Sequence, residues 1–149
     1  MDIGLRINII SPRETYTVRH PVLRPGRPLD SCIFEGDDLE TTFHLGGFYN
    51  NRLAAVATFM ERDHLELGLK NAGQVRGMAV LNEYHGMGFG KLLLNFGEKV
   101  FLDRQIKVVW LNAREIALPF YKKCGYSILG EVFRIPDIGN HFVMYKHLT

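Results

Sequence analysis

Residues 74–94 read QVRGMAVLNEYHGMGFGKLLL, and this stretch organises the rest of the chain. It begins with a short apolar run, Met78 to Leu81, which has the length and composition of a buried strand. Glycines follow at every second position from Gly86 to Gly90. Beyond them, apolar residues recur at intervals of three and four up to Phe101, which is the periodicity of an amphipathic helix. The stretch therefore predicts a strand, a loop, a glycine-rich turn and a helix.

Glycines at the start of a helix have a physical use. Without a Cβ atom, the backbone turns tightly and can lie against a ligand. The first N–H groups of a helix have no partner inside it, and the helix dipole favours an anion there. A phosphate or pyrophosphate fits such a turn, and Lys91 would add a charge-assisted contact. A turn that only packs the helix closely on the strand explains the glycines equally well, so both interpretations stay open.

Two familiar phosphate-binding motifs do not fit this turn. A P-loop requires Gly-Lys-Ser/Thr, whereas Leu92 follows Lys91. The dinucleotide fingerprint requires Gly-x-Gly-x-x-Gly, and the gap between Gly88 and Gly90 is one residue too short. The turn therefore belongs to neither class.

The turn resembles motif A of the GNAT superfamily, the acyl-CoA-dependent N-acyltransferases. That motif is Arg/Gln-x-x-Gly-x-Gly/Ala after a strand that often reads Met-Ala-Val, and here it is His85-Gly86-Met87-Gly88-Phe89-Gly90. His85 stands where the family has Arg or Gln. A second segment is similar to motif B: Asn112-Ala113-Arg114, followed by Phe120-Tyr121-Lys122-Lys123-Cys124-Gly125-Tyr126. The similarity covers about residues 42–149, and the two motifs in order are much more specific than either alone.

The resemblance implies acetyl-CoA as the cofactor and gives residues to it. The pyrophosphate would lie on the N–H groups of residues 86–91. The pantetheine arm would pair with the backbone of Met78 and Val80, where an N–H group would also polarise the thioester carbonyl. The residues predicted to bind the cofactor are Met78, Ala79, Val80, His85, Gly86, Met87, Gly88, Phe89, Gly90, Lys91, Asn112, Phe120 and Tyr121.

Tyr121 matches the family tyrosine that protonates the departing CoA thiolate. A phenol with a pKa of ~10 can donate to a thiolate at neutral pH. Without the second motif, Tyr121 beside Phe120 would be interpreted as an aromatic residue of the hydrophobic core. With Asn112-Ala113-Arg114 upstream, the catalytic acid is the favoured interpretation. Direct attack by the amine is expected, because Cys124 at a helix C-terminus gains no thiolate stabilisation.

A base must also take a proton from the amine, because an ammonium group is not nucleophilic. Glu83, His85, His44 and His141 are the candidates, and the sequence does not choose among them. Glu83 and His141 are predicted to be catalytic, and Arg24 and His44 to bind the substrate.

The sequence also contains a cationic cluster, formed by Arg19, Arg24 and Arg27. It has two interpretations: a solvated loop, which is favoured, or a clamp for an acidic group of the substrate.

The composition bounds the class of protein. With 149 residues, of which 46% are hydrophobic, one domain over residues 1–149 is expected. A net charge of +2 is too small to indicate nucleic acid binding. No apolar run reaches the length of a membrane span and no signal-peptide pattern is present, so the predicted location is the cytoplasm. Cys32 and Cys124 lack metal-ligand spacing, and no metal site is predicted.

The remaining patterns predict the order of elements. Ser11-Pro12 with Glu14 is a capping-box pattern, and Asn50-Asn51 predicts a hairpin turn. An exposed acidic loop is expected at Asp30, Glu35, Asp37, Asp38 and Glu40. Strands are predicted at 3–10, 42–49, 53–59, 74–81, 107–111, 127–133 and 142–145, and helices at about 11–23, 89–103 and 118–123. This order indicates an α/β (α+β) fold, with a mixed, mostly antiparallel central sheet of about seven strands flanked by helices. The GNAT resemblance implies the same order.

The expected function is transfer of an acetyl group from acetyl-CoA to a primary amine of a small molecule or peptide. The alternative is a non-catalytic module of the same fold that binds or senses acyl-CoA, and His85 is the one feature that favours it. Because GNAT proteins often dimerise through C-terminal strands, a homodimer is also among the expectations.

Overall fold

A computed structural model describes residues 4–149. Ile3, predicted as the start of the first strand, lies outside the described residues. Within them the α-helices are α1 (Tyr16–Leu23), α2 (Phe89–Asp103) and α3 (Leu118–Lys123). The strands are β1 (Leu5–Ile10), β2 (Phe43–Tyr49), β3 (Arg52–Glu61), β4 (Ala72–Val80), β5 (Val108–Arg114), β6 (Ser127–Ile135) and β7 (Gly139–His147).

The seven strands form a mixed sheet in the order β1-β2-β3-β4-β5-β7-β6, flanked by the three helices. The predicted fold class is thus confirmed. By its contacts the chain divides into two compact units. The first comprises the residues up to Met60 together with Val75–Lys99, and the second comprises Glu61–Gln74 together with Val100–Thr149.

The entry into α1 follows the predicted capping box. The Ser11 N–H donates to Glu14 Oε1 at 2.9 Å, and the Glu14 N–H donates to Ser11 Oγ at 3.2 Å. Hydrogen bonding by Ser11, first through its N–H and then through its side chain, lowers the pKa of the Glu14 carboxyl. A turn of 3₁₀ helix at Arg13–Thr15 precedes the α-helix proper, which continues through Pro21 to Leu23.

In the first unit, β2 and β3 form the predicted hairpin. Both turn residues, Asn50 and Asn51, have positive φ angles of 51° and 65°, which asparagine tolerates. The antiparallel register pairs Phe43 with Phe59, whose rings stack at 5.0 Å. A core cluster in this unit comprises Ile10, Val18, Val56, Ala79 and Leu81.

Helix α2 packs closely on β3 at Gly97. A Cβ atom at this position would overlap the ring of Phe59, which is fully buried. The close approach of the helix backbone to an aromatic ring explains why a glycine, normally unfavourable in a helix interior, occurs at this position.

Replacing Gly97 by alanine is therefore expected to destabilise the protein by about 1–3 kcal/mol, because the overlap outweighs the better helix propensity of alanine. Urea unfolding followed by circular dichroism measures the change. Asn95→Ala, at an exposed position of the same helix, is the control and should leave the midpoint unchanged or raise it. Equal midpoints for the two variants would contradict the packing described above.

The second unit contains two antiparallel pairings, β5 with β7 and β7 with β6. Its core cluster comprises Leu69, Ala72, Trp110 and Val143. The Trp110 indole N–H donates to the Arg62 carbonyl at 2.8 Å, which satisfies the one polar atom of that ring. Strand β5 extends to Arg114, three residues beyond its predicted end, because Asn112, Ala113 and Arg114 pair with Val143, Phe142 and His141.

Candidate functional site

The glycine turn has the backbone conformation that its sequence predicts. Gly86 and Gly88 have φ angles of 82° and 83°, in the left-handed region where a side chain is strained. A Cβ atom built on either glycine has no other atom within 4 Å. The backbone of the turn is thus open on the side where a ligand would approach.

Helix α2 begins directly after this turn. Its first main-chain hydrogen bond runs from the Leu92 N–H to the Gly88 carbonyl at 3.2 Å, so the preceding N–H groups have no partner inside the helix. Lys91 is exposed at the same end. A fifteen-residue helix with open glycines at its N-terminus and a nearby cation fits a pyrophosphate.

Aromatic contacts hold the turn in place. Tyr84 packs against Tyr49 at 5.7 Å and against Phe89 at 5.9 Å. Arg52 lies over the Tyr84 ring and forms an ion pair with Glu83 at 2.7 Å. The hydrogen bond from Arg52 lowers the pKa of Glu83, which makes this carboxylate a poorer base. The geometry thus fits an anchoring role for Glu83 better than the predicted catalytic one.

The side chain of His85 folds back onto β4. Its Nε2 donates to the Val80 carbonyl at 2.9 Å, since a carbonyl oxygen can only accept. The Val80 carbonyl, one of the backbone groups expected to pair with pantetheine, is therefore already hydrogen-bonded to His85. The N–H group of Val80 is not used by this contact. His85 itself remains exposed.

In the second unit, Tyr121 is packed between aromatic rings. Its ring lies 5.0 Å from that of Phe120 and 5.9 Å from that of Tyr126, and the residue is 9% exposed. Burial, with a smaller contribution from Cys124, raises the pKa of the phenol above its usual value of 10. Tyr121 is therefore a protonated donor at neutral pH.

His141 lies on β7 and Asn112 on β5. The Nδ1 atom of His141 donates to the Gly139 carbonyl at 3.0 Å, and the ring packs on Phe133 at 5.7 Å. Because Nδ1 carries the proton of the neutral ring, Nε2 carries the lone pair. Asn112 is exposed, opposite Val143 in the strand register.

His44 is part of a buried network in the first unit. It is 2% exposed, its Nε2 donates to the Asp37 carbonyl at 3.0 Å, and its Nδ1 lies 2.7 Å from Thr58 Oγ1. Thr58 Oγ1 accepts from Arg19 Nη2 at 2.7 Å and can therefore give its own proton to His44. Both ring nitrogens are thus bonded inside the protein, which contradicts the prediction that His44 binds substrate or acts as the base.

Arg19 and Asp37 complete this network. Arg19 is fully buried and bonds Asp37 twice, at 2.7 and 3.1 Å, and also donates to the Cys32 carbonyl. The prediction of a solvated cluster is therefore wrong for Arg19, and that of an exposed acidic loop is wrong for Asp37. In the sequence, Arg19 is next to Val18 and three residues before Val22 on the same helix. That spacing does not identify a charged residue as buried.

The buried imidazole predicts a pH-dependent stability. Burial lowers the pKa of His44 below its usual 6.5, so the unfolded chain binds a proton at this residue more readily than the folded chain. The contribution of neutral His44 to the free energy of unfolding is fully present above pH 6.5. As the pH falls below that value the contribution is lost, by at most about 1.4 kcal/mol per pH unit. Urea unfolding between pH 8 and 5 should show a smaller pH dependence for His44→Gln. His147→Gln, at an exposed position, should retain the wild-type dependence.

Phe34 is the centre of a group of three arginines, of which the sequence had connected only Arg19 and Arg24. The ring is 8% exposed and lies within 5.2 Å of the guanidinium carbons of Arg19, Arg24 and Arg76. Arg27, which the sequence grouped with Arg24, is exposed. Arg76 belongs to β4 and is distant in sequence from the others, so no local pattern could indicate it.

No group of three or more His, Cys, Asp or Glu side chains in residues 4–149 is arranged to hold a metal ion. Across the same residues, no helix has the length and hydropathy needed to cross a membrane.

The chain is similar to known acetyltransferases in sequence and in structure. The profile of the acetyltransferase (GNAT) family matches residues 10–126. The uncharacterised N-acetyltransferase YitI of Bacillus subtilis is 39% identical over 97% of both chains. The ribosomal-protein-S18-alanine N-acetyltransferase of Escherichia coli superposes with a TM-score of 0.76 at 16% identity, over 97% of this chain and 94% of that one.

A Bacillus subtilis acetyltransferase solved in complex with CoA superposes with a TM-score of 0.69 at 17% identity, over 97% of this chain and 99% of that chain. At such identities the two solved structures are evidence for the fold alone. The family profile spans most of the chain, and YitI matches nearly its whole length. The chain therefore belongs to the GNAT acetyltransferase family.

Proposed function

We propose that this protein transfers an acetyl group from acetyl-CoA to a primary amine. The observation that carries the proposal is the pair of left-handed glycines, Gly86 and Gly88, open at the head of α2. When bound, acetyl-CoA supplies the thioester carbon that the amine attacks. The CoA complex of the structurally similar Bacillus subtilis acetyltransferase supports acyl-CoA as the donor. The proposed setting is the cytoplasm.

The chain's own groups have separate roles in this proposal. The N–H groups of residues 86–91 and Lys91 bind the pyrophosphate, and the β4 backbone at Met78 and Val80 orients the pantetheine and its thioester. Asn112 and Phe120 are proposed as further contacts of the pantetheine. The reaction forms an N–C bond and breaks a C–S bond. Tyr121 donates its hydroxyl proton to the departing sulfur.

His141 is the base that the geometry favours among the four candidates. Its Nδ1 is held by a carbonyl, which leaves the Nε2 lone pair to accept a proton from the ammonium group, directly or through water. Glu83 is weakened as a base by Arg52, His44 is buried and doubly bonded, and His85 is tied to Val80.

Replacing His141 by alanine is expected to lower kcat/KM for the amine by about 100-fold, the lower end of what a general base contributes. Added imidazole should restore part of the rate, because it can occupy the space of the missing ring. The measurement is thiol release with saturating acetyl-CoA, with Glu83→Gln as the parallel variant. A larger loss in Glu83→Gln, or no rescue by imidazole, would assign the base elsewhere.

The proposed function is tested by binding and turnover together. Saturating acetyl-CoA should raise the unfolding temperature, since a ligand at a hundred times its dissociation constant stabilises the folded state by about 2.7 kcal/mol. Thiol release should then appear with at least one member of a panel of amines. Stabilisation without turnover would favour the acyl-CoA-sensing alternative, and no stabilisation would reject the cofactor assignment.

The double replacement of Gly86 and Gly88 by alanine is the matched binding variant. Both positions have positive φ angles, so alanine strains the turn without meeting another atom. Stabilisation by acetyl-CoA should be reduced, whereas Gly26→Ala, at a positive φ angle in the loop after α1, should retain it.

A further inference from the structure

The second unit contains a cleft that the proposed reaction does not use. Its volume is about 660 Å³, which is within the range of small-molecule sites. Basic and amide side chains form most of its wall, and the lining residues are Lys70, Asn71, Gln105, Lys107, Val108 and His147. None of these residues is acidic, so the lining favours an anion.

The cationic groups of the cleft have no counter-charge in the part of the chain that the structure describes. Within residues 4–149, no carboxylate forms an ion pair with Lys70, Lys107 or His147. The Asp63 carboxylate, on the same loop as Lys70, accepts a hydrogen bond from the Ala72 N–H at 3.0 Å. Like charges that share a cleft repel each other, and a bound anion relieves that repulsion.

One wall of the cleft is the loop that leads into β4, and its backbone is fixed. Leu69, before the two lining residues of this loop, is 9% exposed, and Ala72, after them, is 3% exposed. Asn71 has a φ angle of 50°, and its Nδ2 donates to the Gln105 carbonyl at 3.3 Å. The exposed side chain of Lys70 therefore extends from a backbone that is anchored on both sides.

The opposite wall is formed where two paired strands meet the cleft. Lys107 directly precedes β5, and its carbonyl accepts from the Leu148 N–H at 2.7 Å. His147 is the last residue of β7 and lies opposite Val108 in the antiparallel register. Its ring packs edge-on against Tyr145 at 5.5 Å. The sheet thus holds the backbones of Lys107 and His147 side by side.

The cleft is separate from the proposed base. His147 and His141 both belong to β7 and are six residues apart, which is about 20 Å along a strand. A small molecule in the cleft therefore leaves His141 accessible to the acceptor. A ligand here would be neither the acceptor nor part of the proposed reaction.

We propose that this cleft, through Lys70, Lys107 and His147, binds a small phosphorylated molecule. A phosphate monoester carries a charge of about −1.5 to −2 at pH 7 and three strong acceptor oxygens. Those oxygens match the donors of two ammonium groups, an imidazole and the amides of the lining. Because the cleft is larger than one phosphate group, the rest of the ligand, such as a sugar or a nucleoside, would lie beside Val108.

The test measures the binding of compounds that differ only in the phosphate. Glucose 6-phosphate is paired with glucose and AMP with adenosine, and inorganic pyrophosphate is the bare anion. Titration calorimetry in a buffer without phosphate should show at least one phosphorylated compound binding about 10-fold more tightly than its partner. Lys70→Gln and Lys107→Gln should each weaken that binding by about 10-fold or more, as expected when a charged hydrogen bond is lost.

Two further variants locate the site of binding. Lys123→Gln removes an exposed charge from α3 and should bind the same compound as the wild type does. The double variant Gly86→Ala with Gly88→Ala alters the turn proposed to hold the cofactor pyrophosphate. It should also retain binding, because no residue of that turn lines the cleft. Thermal unfolding of each variant without ligand checks the fold.

The possible results decide the proposal without reference to acetyl transfer. Unchanged binding in both lysine variants would overturn the cleft as the phosphate site. Binding that is lost in the glycine variant and kept in the lysine variants would place the phosphate at the cofactor turn instead. Failure of all three phosphorylated probes to bind would also overturn the proposal, and none of these results bears on the acetyltransferase activity itself.

Discussion

Replacing Asp37 by asparagine is expected to lower the free energy of unfolding by about 3–5 kcal/mol. The substitution leaves the Arg19 guanidinium fully buried without its counter-charge, while its remaining partners, the Cys32 carbonyl and Thr58, are neutral. Since small domains are stable by about 5–15 kcal/mol, this loss is a large fraction of the total. Urea unfolding at pH 7.5, where His44 is neutral, measures it.

An exposed ion pair and a double variant serve as the controls. Glu83→Gln breaks the Arg52–Glu83 pair, whose side chains are 57% and 52% exposed, and should leave the unfolding midpoint close to that of the wild type. Arg19→Met combined with Asp37→Leu removes both buried charges and should be less destabilised than Asp37→Asn. A single variant as stable as the wild type would show that the buried pair is not required.

Replacing Tyr121 by phenylalanine is expected to lower kcat for acetyl transfer by about 100-fold or more, within the range of general acid catalysis. The ring contacts with Phe120 and Tyr126 do not involve the hydroxyl, so the fold and the stabilisation by acetyl-CoA should persist. Because burial raises the pKa of the phenol, the wild-type rate should not fall through ionisation of Tyr121 as the pH rises towards 10.

The variant Cys124→Ser tests whether Cys124 acts as a nucleophile, in place of direct attack by the amine with Tyr121 as the acid. Cys124 follows the last residue of α3, at the helix end that does not stabilise a thiolate. The serine variant should therefore retain activity while Tyr121→Phe loses it. Full activity of Tyr121→Phe would instead leave Tyr121 with a packing role only.

Elements with local signals were predicted well. The Ser11–Glu14 capping box, the Asn50-Asn51 turn and the bounds of α2 all depend on residues within a few positions of each other, and the structure confirms them. The end of β5 was predicted three residues too early, because polar Asn112 and Arg114 gave no strand signal although both pair with β7.

The site was predictable to the extent that it depends on local backbone conformation. Glycines at every second position between a strand and a helix predict a tight turn, and Gly86 and Gly88 have positive φ angles in that turn. The roles of the histidines were not predictable. His44 and His141 differ in the hydrogen bonds of their ring nitrogens, and those partners are fixed only when the strands pair.

The sequence by itself determined the order of the elements, the glycine turn and the family of this protein, because these follow from neighbouring residues and ordered motifs. The tertiary structure alone decided that Arg19 is buried while Arg24 and Arg76 lie around Phe34. The Arg19 partners stand 13, 18 and 39 residues along the chain. No periodicity connects such positions, since burial of a charge depends on whether distant parts of the chain bring it a counter-charge and hydrogen bonds.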